Sequence, residues 1–212
     1  MKKYYNNLSI DSQTFKKQIQ KEKNKHSTEQ KRNVTRNQVK IRQPYVDKIL
    51  SDYFVNEIKN VICIGCRDDT ELKMFEKNNI ETIGIDVANE TKKIIRSSAE
   101  NINNLFKENQ FDLAFSSHSL EHVAIPDLVM KNIRNIAKIG CYIILPREEI
   151  TSSPSPKHPV IYDISLCKEN DKKIDLIKSL EKDFKIFQPY EIKDIFYNKE
   201  MNEFHICFKW LD

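Results

Sequence analysis

The sequence predicts an α/β fold: a doubly wound, mostly parallel sheet of seven strands that ends in a C-terminal antiparallel hairpin. Three observations lead there. Short apolar runs alternate with amphipathic, helix-length segments from residue 60 to residue 145, the pattern of a parallel sheet covered on both faces. The last two β-like runs, Phe184 to Tyr197 and Glu203 to Trp210, are joined only by Asn198-Lys199-Glu200-Met201-Asn202. So short a link permits only an antiparallel pair. The chain of 212 residues also holds just three glycines, where average usage would supply about fifteen. A composition this poor in glycine keeps it where a side chain would obstruct a tight turn or a close approach.

Taken in order, residues 9–32 combine high helix propensity with little apolar periodicity beyond Phe15 and Ile19, which reads as a polar helix, frayed or held by a partner. Pro44 predicts the start of a second helix, with Tyr45, Ile49, Leu50 and Phe54 on one face. Asn60 to Ile64 is the first core strand. A helix over Asp69 to Asn78 follows, with Leu72, Phe75 and the stem of Lys73 toward the sheet. Ile80 to Asp86 and Ile94 to Ser97 are the next strands, Ile102 to Glu108 a helix, and Phe111 to Ser116 the fourth strand. Asp127 to Lys138 is a helix with apolar positions 128, 129, 133, 136 and 137, and Gly140 to Leu145 is the fifth strand. The segment Thr151-Ser152-Ser153-Pro154-Ser155-Pro156-Lys157-His158-Pro159 is too rich in proline for strand or helix. A further helix is expected near Lys172 to Lys182.

The length suits one domain with a modest extension. We place the boundary at residue 43: a basic, largely helical extension over 1–43 and the main domain over 44–212. Residues 1–48 hold thirteen Lys/Arg against four Asp/Glu, a balance of +9, so the rest of this +4 chain carries −5. Such an arm suits nucleic acid, an anionic lipid surface or a phosphorylated substrate; the plainer reading is a solvated helix. No apolar run approaches the roughly 18 residues of a membrane span, and no secretory leader opens the sequence. The five cysteines (63, 66, 141, 167 and 207) are odd in number and lie mostly in apolar segments. Reduced, buried thiols in a cytoplasmic protein are the expectation. Cys63 and Cys66 form a Cys-x-x-Cys, but a redox or zinc role needs a helix-start context or a second ligand pair, and the sequence has neither.

Three segments bring chemistry to the strand ends. Gly65 closes the run Val61-Ile62-Cys63-Ile64, where a glycine lets the backbone lie against a ligand while the following helix presents unpaired amides. Gly84-Ile85-Asp86 ends a strand on a carboxylate that can accept two hydrogen bonds from a ribose diol and reject a 2′-phosphate. The alternative for Asp86 is a helix N-cap. Ser116-Ser117-His118 stands just past the fourth strand, where open parallel sheets place their ligand crevice.

In four places the chain resembles the class I S-adenosylmethionine-dependent methyltransferases, over roughly residues 58–147. Val61-Ile62-Cys63-Ile64-Gly65-Cys66-Arg67 stands at that family's glycine-rich first motif and Gly84-Ile85-Asp86 at its second. Ser97-Ser98-Ala99-Glu100 stands at the segment that contacts the adenine. Phe111-Asp112-Leu113-Ala114-Phe115-Ser116-Ser117-His118-Ser119-Leu120-Glu121-His122-Val123 stands at the fourth-strand motif. The resemblance implies a Rossmann-like methyltransferase fold and S-adenosyl-L-methionine as cofactor. It implies a binding set of Gly65, Cys66, Arg67, Glu71, Asp86, Val87, Ser98, Ala99, Glu100 and Ser117. The first motif departs from the common pattern: Arg67 and Asp69 stand where further glycines are frequent, and Cys63 where an acid often holds the methionine amine. Arg67 can grip the methionine carboxylate, while Glu71 orders Arg67 or meets the amine. Similar Gly-Cys-Arg loops occur among methyltransferases of glycan biosynthesis.

His118 is the first candidate for a catalytic base, since an imidazole has the basicity to take a proton from an attacking hydroxyl; the alternative is a histidine packed beside the cofactor. His158, in the proline-rich loop, is the second candidate, either binding sugar hydroxyls or decorating the surface. Glu121 and His122 start the next helix and cannot both face the crevice. The expected activity is O-methylation of a sugar or another small hydroxyl acceptor. The alternative is an RNA-directed or non-catalytic relative that uses residues 1–43 to hold nucleic acid. The sequence carries neither an Asn/Asp-Pro-Pro-aromatic tetrapeptide nor an evident catalytic cysteine motif.

Overall fold

The computed structural model describes residues 3–5, 29–123, 125–146, 160–162, 184 and 187–211. The expected loop over 151–159 with His158, the helix near Lys172 to Lys182, Cys167 and the greater part of the helix over 9–32 lie outside them.

Seven strands form one sheet in the spatial order β4-β3-β2-β5-β6-β9-β8. They are β2 (Asn60–Ile64), β3 (Glu81–Asp86), β4 (Ile94–Arg96), β5 (Phe111–Ser117), β6 (Ala137–Pro146), β8 (Tyr190–Asn198) and β9 (Glu203–Trp210). The first five run parallel. Strand β9 pairs antiparallel with β6 and with β8, so the hairpin expected from the short link joins the sheet through its second strand. The turn carries Asn202 at φ +52, a left-handed position asparagine tolerates well. A separate antiparallel pair is made by β1 (Lys3–Tyr5) and β7 (Val160–Tyr162).

Side chains alternate along each inner strand, which gives the sheet two cores. Ile62, Ile64, Ala114, Cys141 and Ile143 face one side, where they meet Val129, Met130, Ile133 and Ile136 of α4 (Pro126–Ile136) and Phe184, Phe187 and Phe208 from the C-terminal region. Val61, Cys63, Leu113, Phe115, Tyr142 and Ile144 face the other side. There they meet Val46 and Ile49 of α1 (Glu29–Tyr53) and Leu72, Met74 and Phe75 of α2 (Asp69–Glu76). A short 3₁₀ turn (Ala99–Asn101) and α3 (Ile102–Leu105) complete the fold.

Several local expectations are corrected. Pro44 does not start a helix: it lies inside the 25-residue α1. It is accommodated because Pro44 sits on the exposed stripe with Lys40 and Lys48, where water can satisfy the carbonyl freed by the missing N–H. The boundary placed at residue 43 thus falls within a continuous helix. In α2, Met74 is buried while Lys73 is exposed, and in α4 Leu128 is exposed while Met130 is buried. Strand β8 starts at Tyr190, after Pro189, which has no N–H to give to a ladder. Glu121 and His122 lie in a turn, four or more residues before α4 begins at Pro126.

Candidate active site

The carboxyl ends of β2, β3 and β5 come together at the center of the sheet. Gly65 leaves β2 with φ +71, and its amide donates to the Ile85 carbonyl at 2.8 Å. A Cβ there would stand 2.3 Å from Cβ of Ser119. Ser119 in turn donates from Oγ to the Ile64 carbonyl at 3.0 Å and shares a 2.7 Å hydrogen bond with Ser116 Oγ. Within the described residues, what Gly65 makes room for is the loop after β5. Gly65→Ala is expected to cost about 2 kcal/mol from the left-handed backbone, or roughly 4–8 °C in Tm for a chain of this size. An unchanged thermal unfolding midpoint would refute that account.

Cys66 has its thiol in the core. A Cβ on Gly84 would approach Cys66 Sγ to 2.5 Å, so small residue and buried thiol fit one another. Only the Cys66 main chain is left to face a ligand. Burial pushes the Cys63 and Cys66 thiols well above their ordinary pKa, and both are free. Arg67 follows at φ +47, and Asp68 caps α2 by accepting from the Thr70 amide.

Asp86 ends β3, buried, and organizes the next turn. Its Oδ1 accepts from the amides of Ala88 (2.7 Å) and Asn89 (3.0 Å), and its Oδ2 from that of Arg67 (3.2 Å). The residues after it form no helix, so the N-cap alternative does not apply. With two acceptor positions on each carboxylate oxygen, Oδ2 keeps one for a further donor. Val87, half-buried, follows. Beyond β4, Asn132 of α4 donates from Nδ2 to the carbonyls of Ala99 (3.3 Å) and Glu100 (2.9 Å), which anchors the segment Ser98-Ala99-Glu100. Glu100 Oε1 accepts from the Ile125 amide at 3.4 Å. The hydroxyls of Ser98 and Ser117 are buried without a hydrogen-bond partner among the described residues. Unsatisfied buried hydroxyls cost stability unless a further group meets them. Ser98 lies two residues past β4 and Ser117 at the end of β5, so both hydroxyls stand at carboxyl ends of the parallel strands.

His118 stands just past β5 at φ +48, with its amide donating to the Ile144 carbonyl at 3.0 Å. Its side chain is one-third exposed (33%), and its Nε2 lies 2.7 Å from Oε2 of Glu203. Nδ1 faces Oε1 of buried Glu121 at 3.7 Å. Glu203 is a hub missed in the sequence. It also binds Arg42 of α1 in a two-pronged pair (Nε to Oε1 3.0 Å, Nη2 to Oε2 2.6 Å) and His205 Nε2 at 2.9 Å. His205 Nδ1 is hydrogen-bonded to the Tyr142 hydroxyl. Burial alone would raise the Glu203 pKa, but donors on His118, His205 and Arg42 hold it well below the usual carboxylate range. Burial lowers the pKa of His205 and raises that of Tyr142. Glu71 is pushed up to about 7 by burial, against the pull of Arg42, His118 and Arg67. Its ion-pair partner is Arg42, with Nη1 3.8 Å away.

The structure thus brings Gly65, Arg67, Asp86, Ser117 and His118 to adjoining strand ends and Glu71 to the Arg42 cluster. The hub escaped notice because Glu203 and His205 alternate with apolar residues like the solvent side of a hairpin. Here that side lies under α1, with the His205 ring 5.2 Å from Tyr45 and stacked 4.4 Å from Phe196.

Residues 62–145 match the family model of the methyltransferase domain. No curated protein matches the sequence. Among solved structures, the fold is similar to that of a Burkholderia thailandensis 1,6-didemethyltoxoflavin-N1-methyltransferase, solved with 1,6-didemethyltoxoflavin and S-adenosylhomocysteine. The TM-score is 0.66 at 9% identity, over 98% of this chain and 94% of that one. An Aquifex aeolicus SAM-dependent methyltransferase gives a TM-score of 0.53 at 14% identity, over 77% and 88% of the two chains. A Haloferax volcanii putative methyltransferase, solved in complex with the Trm112 methyltransferase activator, gives 0.54 at 11%, over 82% and 92%. The sheet is that of the Rossmann-like methyltransferase fold. The domain match over residues 62–145 supports a methyltransferase with S-adenosylmethionine as the cofactor, and the solved structures support the fold. No described helix is long and apolar enough to cross a membrane.

Proposed function

We propose that this chain transfers a methyl group to a hydroxyl of a sugar or another small acceptor, with His118 as the general base. One observation carries the reading: a one-third exposed imidazole at the carboxyl end of β5, tied at 2.7 Å to a fully buried carboxylate. Bound S-adenosylmethionine supplies a methyl group made electrophilic by its sulfonium. The protein's part is then to hold the acceptor in line and to take its proton, and alignment contributes more than the base. Asp86 offers its remaining acceptor position to a ribose hydroxyl. The buried hydroxyls of Ser98 and Ser117 gain partners, and Val87, Ala99 and Glu100 line the adenine side. Arg67 meets the methionine carboxylate, with Gly65 and the Cys66 main chain beneath it and Glu71 behind. The Gly-Cys-Arg loop favors a glycan-type acceptor, and His158 is the second candidate for contact with it. The +9 balance of residues 1–48 keeps RNA as the competing acceptor class.

Calorimetry with S-adenosylhomocysteine tests the cofactor half. Micromolar affinity, about −8 kcal/mol, is expected, and Asp86→Ala should weaken it by roughly 1.5–3 kcal/mol. Equal affinity in the variant removes Asp86 from the ribose site. A methyl-transfer screen over sugars, nucleotide sugars and short RNAs tests the acceptor half, and transfer to RNA alone would replace the small-acceptor reading.

A further inference from the structure

The Glu203 hub determines more about His118 than its place, given the reading of His118 as the base. Glu203 is fully buried and all four acceptor positions of its carboxylate are used. Oε1 accepts from Arg42 Nε and His205 Nε2, and Oε2 from Arg42 Nη2 and His118 Nε2. An ionized carboxylate only accepts, so each imidazole must present an N–H at Nε2. The far side of His205 agrees: its Nδ1 is then bare and receives the Tyr142 hydroxyl. The same logic puts the single proton of neutral His118 on Nε2 and the lone pair on Nδ1. Glu121 Oε1, at 3.7 Å, is too distant to hold a proton on Nδ1 by a hydrogen bond.

We propose that Glu203 is a positioning residue that holds His118 in its Nε2–H form and thereby makes Nδ1 the nitrogen that receives the acceptor's proton. In that step the acceptor oxygen bonds to the methyl carbon as the carbon–sulfur bond breaks toward sulfur. The O–H proton passes to Nδ1. The resulting imidazolium keeps its Nε2–H on Glu203 and later gives up the Nδ1 proton to water. Arg42 shares the same carboxylate through both oxygens, which fixes the plane in which Oε2 meets the ring.

The tautomer is read by ¹⁵N NMR of the full-length, ¹⁵N-histidine-labeled chain with S-adenosylhomocysteine in mildly alkaline buffer. The His118 resonances are those lost in His118→Gln. Wild type should show a protonated Nε2 and a bare Nδ1, and Glu203→Gln should lose that preference. A wild-type His118 protonated on Nδ1, or a tautomer unmoved by Glu203→Gln, overturns the proposal. Should Glu203→Gln fail to fold, the wild-type spectrum decides alone. Calorimetry on the same sample separates the two levels: absence of S-adenosylhomocysteine binding sinks the methyltransferase reading and with it the role of Nδ1. Binding with the wrong tautomer sinks only the assignment made to Glu203.

Discussion

His118→Ala is expected to lower turnover by about 10²–10⁴, the usual range for a lost general base, while cofactor affinity stays within about twofold. The expectation follows from placement. The imidazole is partly open to solvent at the crevice, and its ring is held through Nε2 by Glu203. The backbone at φ +48, tied to the Ile144 carbonyl, sets the direction in which the side chain leaves β5. None of these contacts supports the Asp86 turn, so cofactor binding and proton transfer should separate in the variant. The measurement is kcat on an acceptor found by the screen, with S-adenosylhomocysteine affinity by calorimetry beside it. Near wild-type kcat would dismiss His118 as the base and pass attention to His158, or to catalysis by alignment alone.

The second large effect is on stability. Arg42→Ala removes the only arginine on the described hub and leaves Glu203 buried with two imidazoles and Glu71 without its ion-pair partner. Breaking a buried pair from one side costs about 3–5 kcal/mol, because the surviving charge stays desolvated and uncompensated. For a chain of this size that is on the order of 10 °C in Tm. Arg42→Lys should rescue little, since an ammonium cannot reproduce the two-pronged fork that meets both oxygens of Glu203. A double variant, Arg42→Met with Glu203→Met, should lose less than Arg42→Ala, since Glu203 is then not left as a stranded charge, although Glu71 is unpaired in both. A loss below about 1 kcal/mol in Arg42→Ala would show that water reaches Glu203. The same result bears on the extension proposed over residues 1–43, because cutting there removes Arg42 together with the basic arm.

Much of the frame was legible along the chain. The first core strand was read with its observed bounds, Asn60 to Ile64, and β3 and β5 lie where their apolar runs placed them, whereas β6 starts three residues before Gly140 and takes Ala137 and Lys138 from the expected helix. The antiparallel end followed from a five-residue link that reaches nothing else. Asp86 was recognizable because it ends a strand that Gly84 lets pack tightly, with Cys66 filling the space a side chain would take. What failed locally failed for local reasons. Pro44 is a helix-start residue by propensity, but it lies on a face where a missing N–H costs little. Leu128 is apolar yet stays exposed, since α4 turns Val129, Met130, Ile133 and Ile136 to the sheet.

The sequence by itself determined the order of the core strands and the strand ends that carry Gly65, Asp86 and His118. These are properties of short spans, where hydrophobic period and turn chemistry act within a few residues. Only the tertiary structure decided that Arg42 and Glu203, 161 residues apart, share one buried ion pair, and that His118 reaches the same carboxylate across 85 residues. Alternation along β9 reports which residues share a face, but it is silent on what covers that face. Helix α1 covers it, and in doing so turns a polar strand face into the buried charge that meets His118.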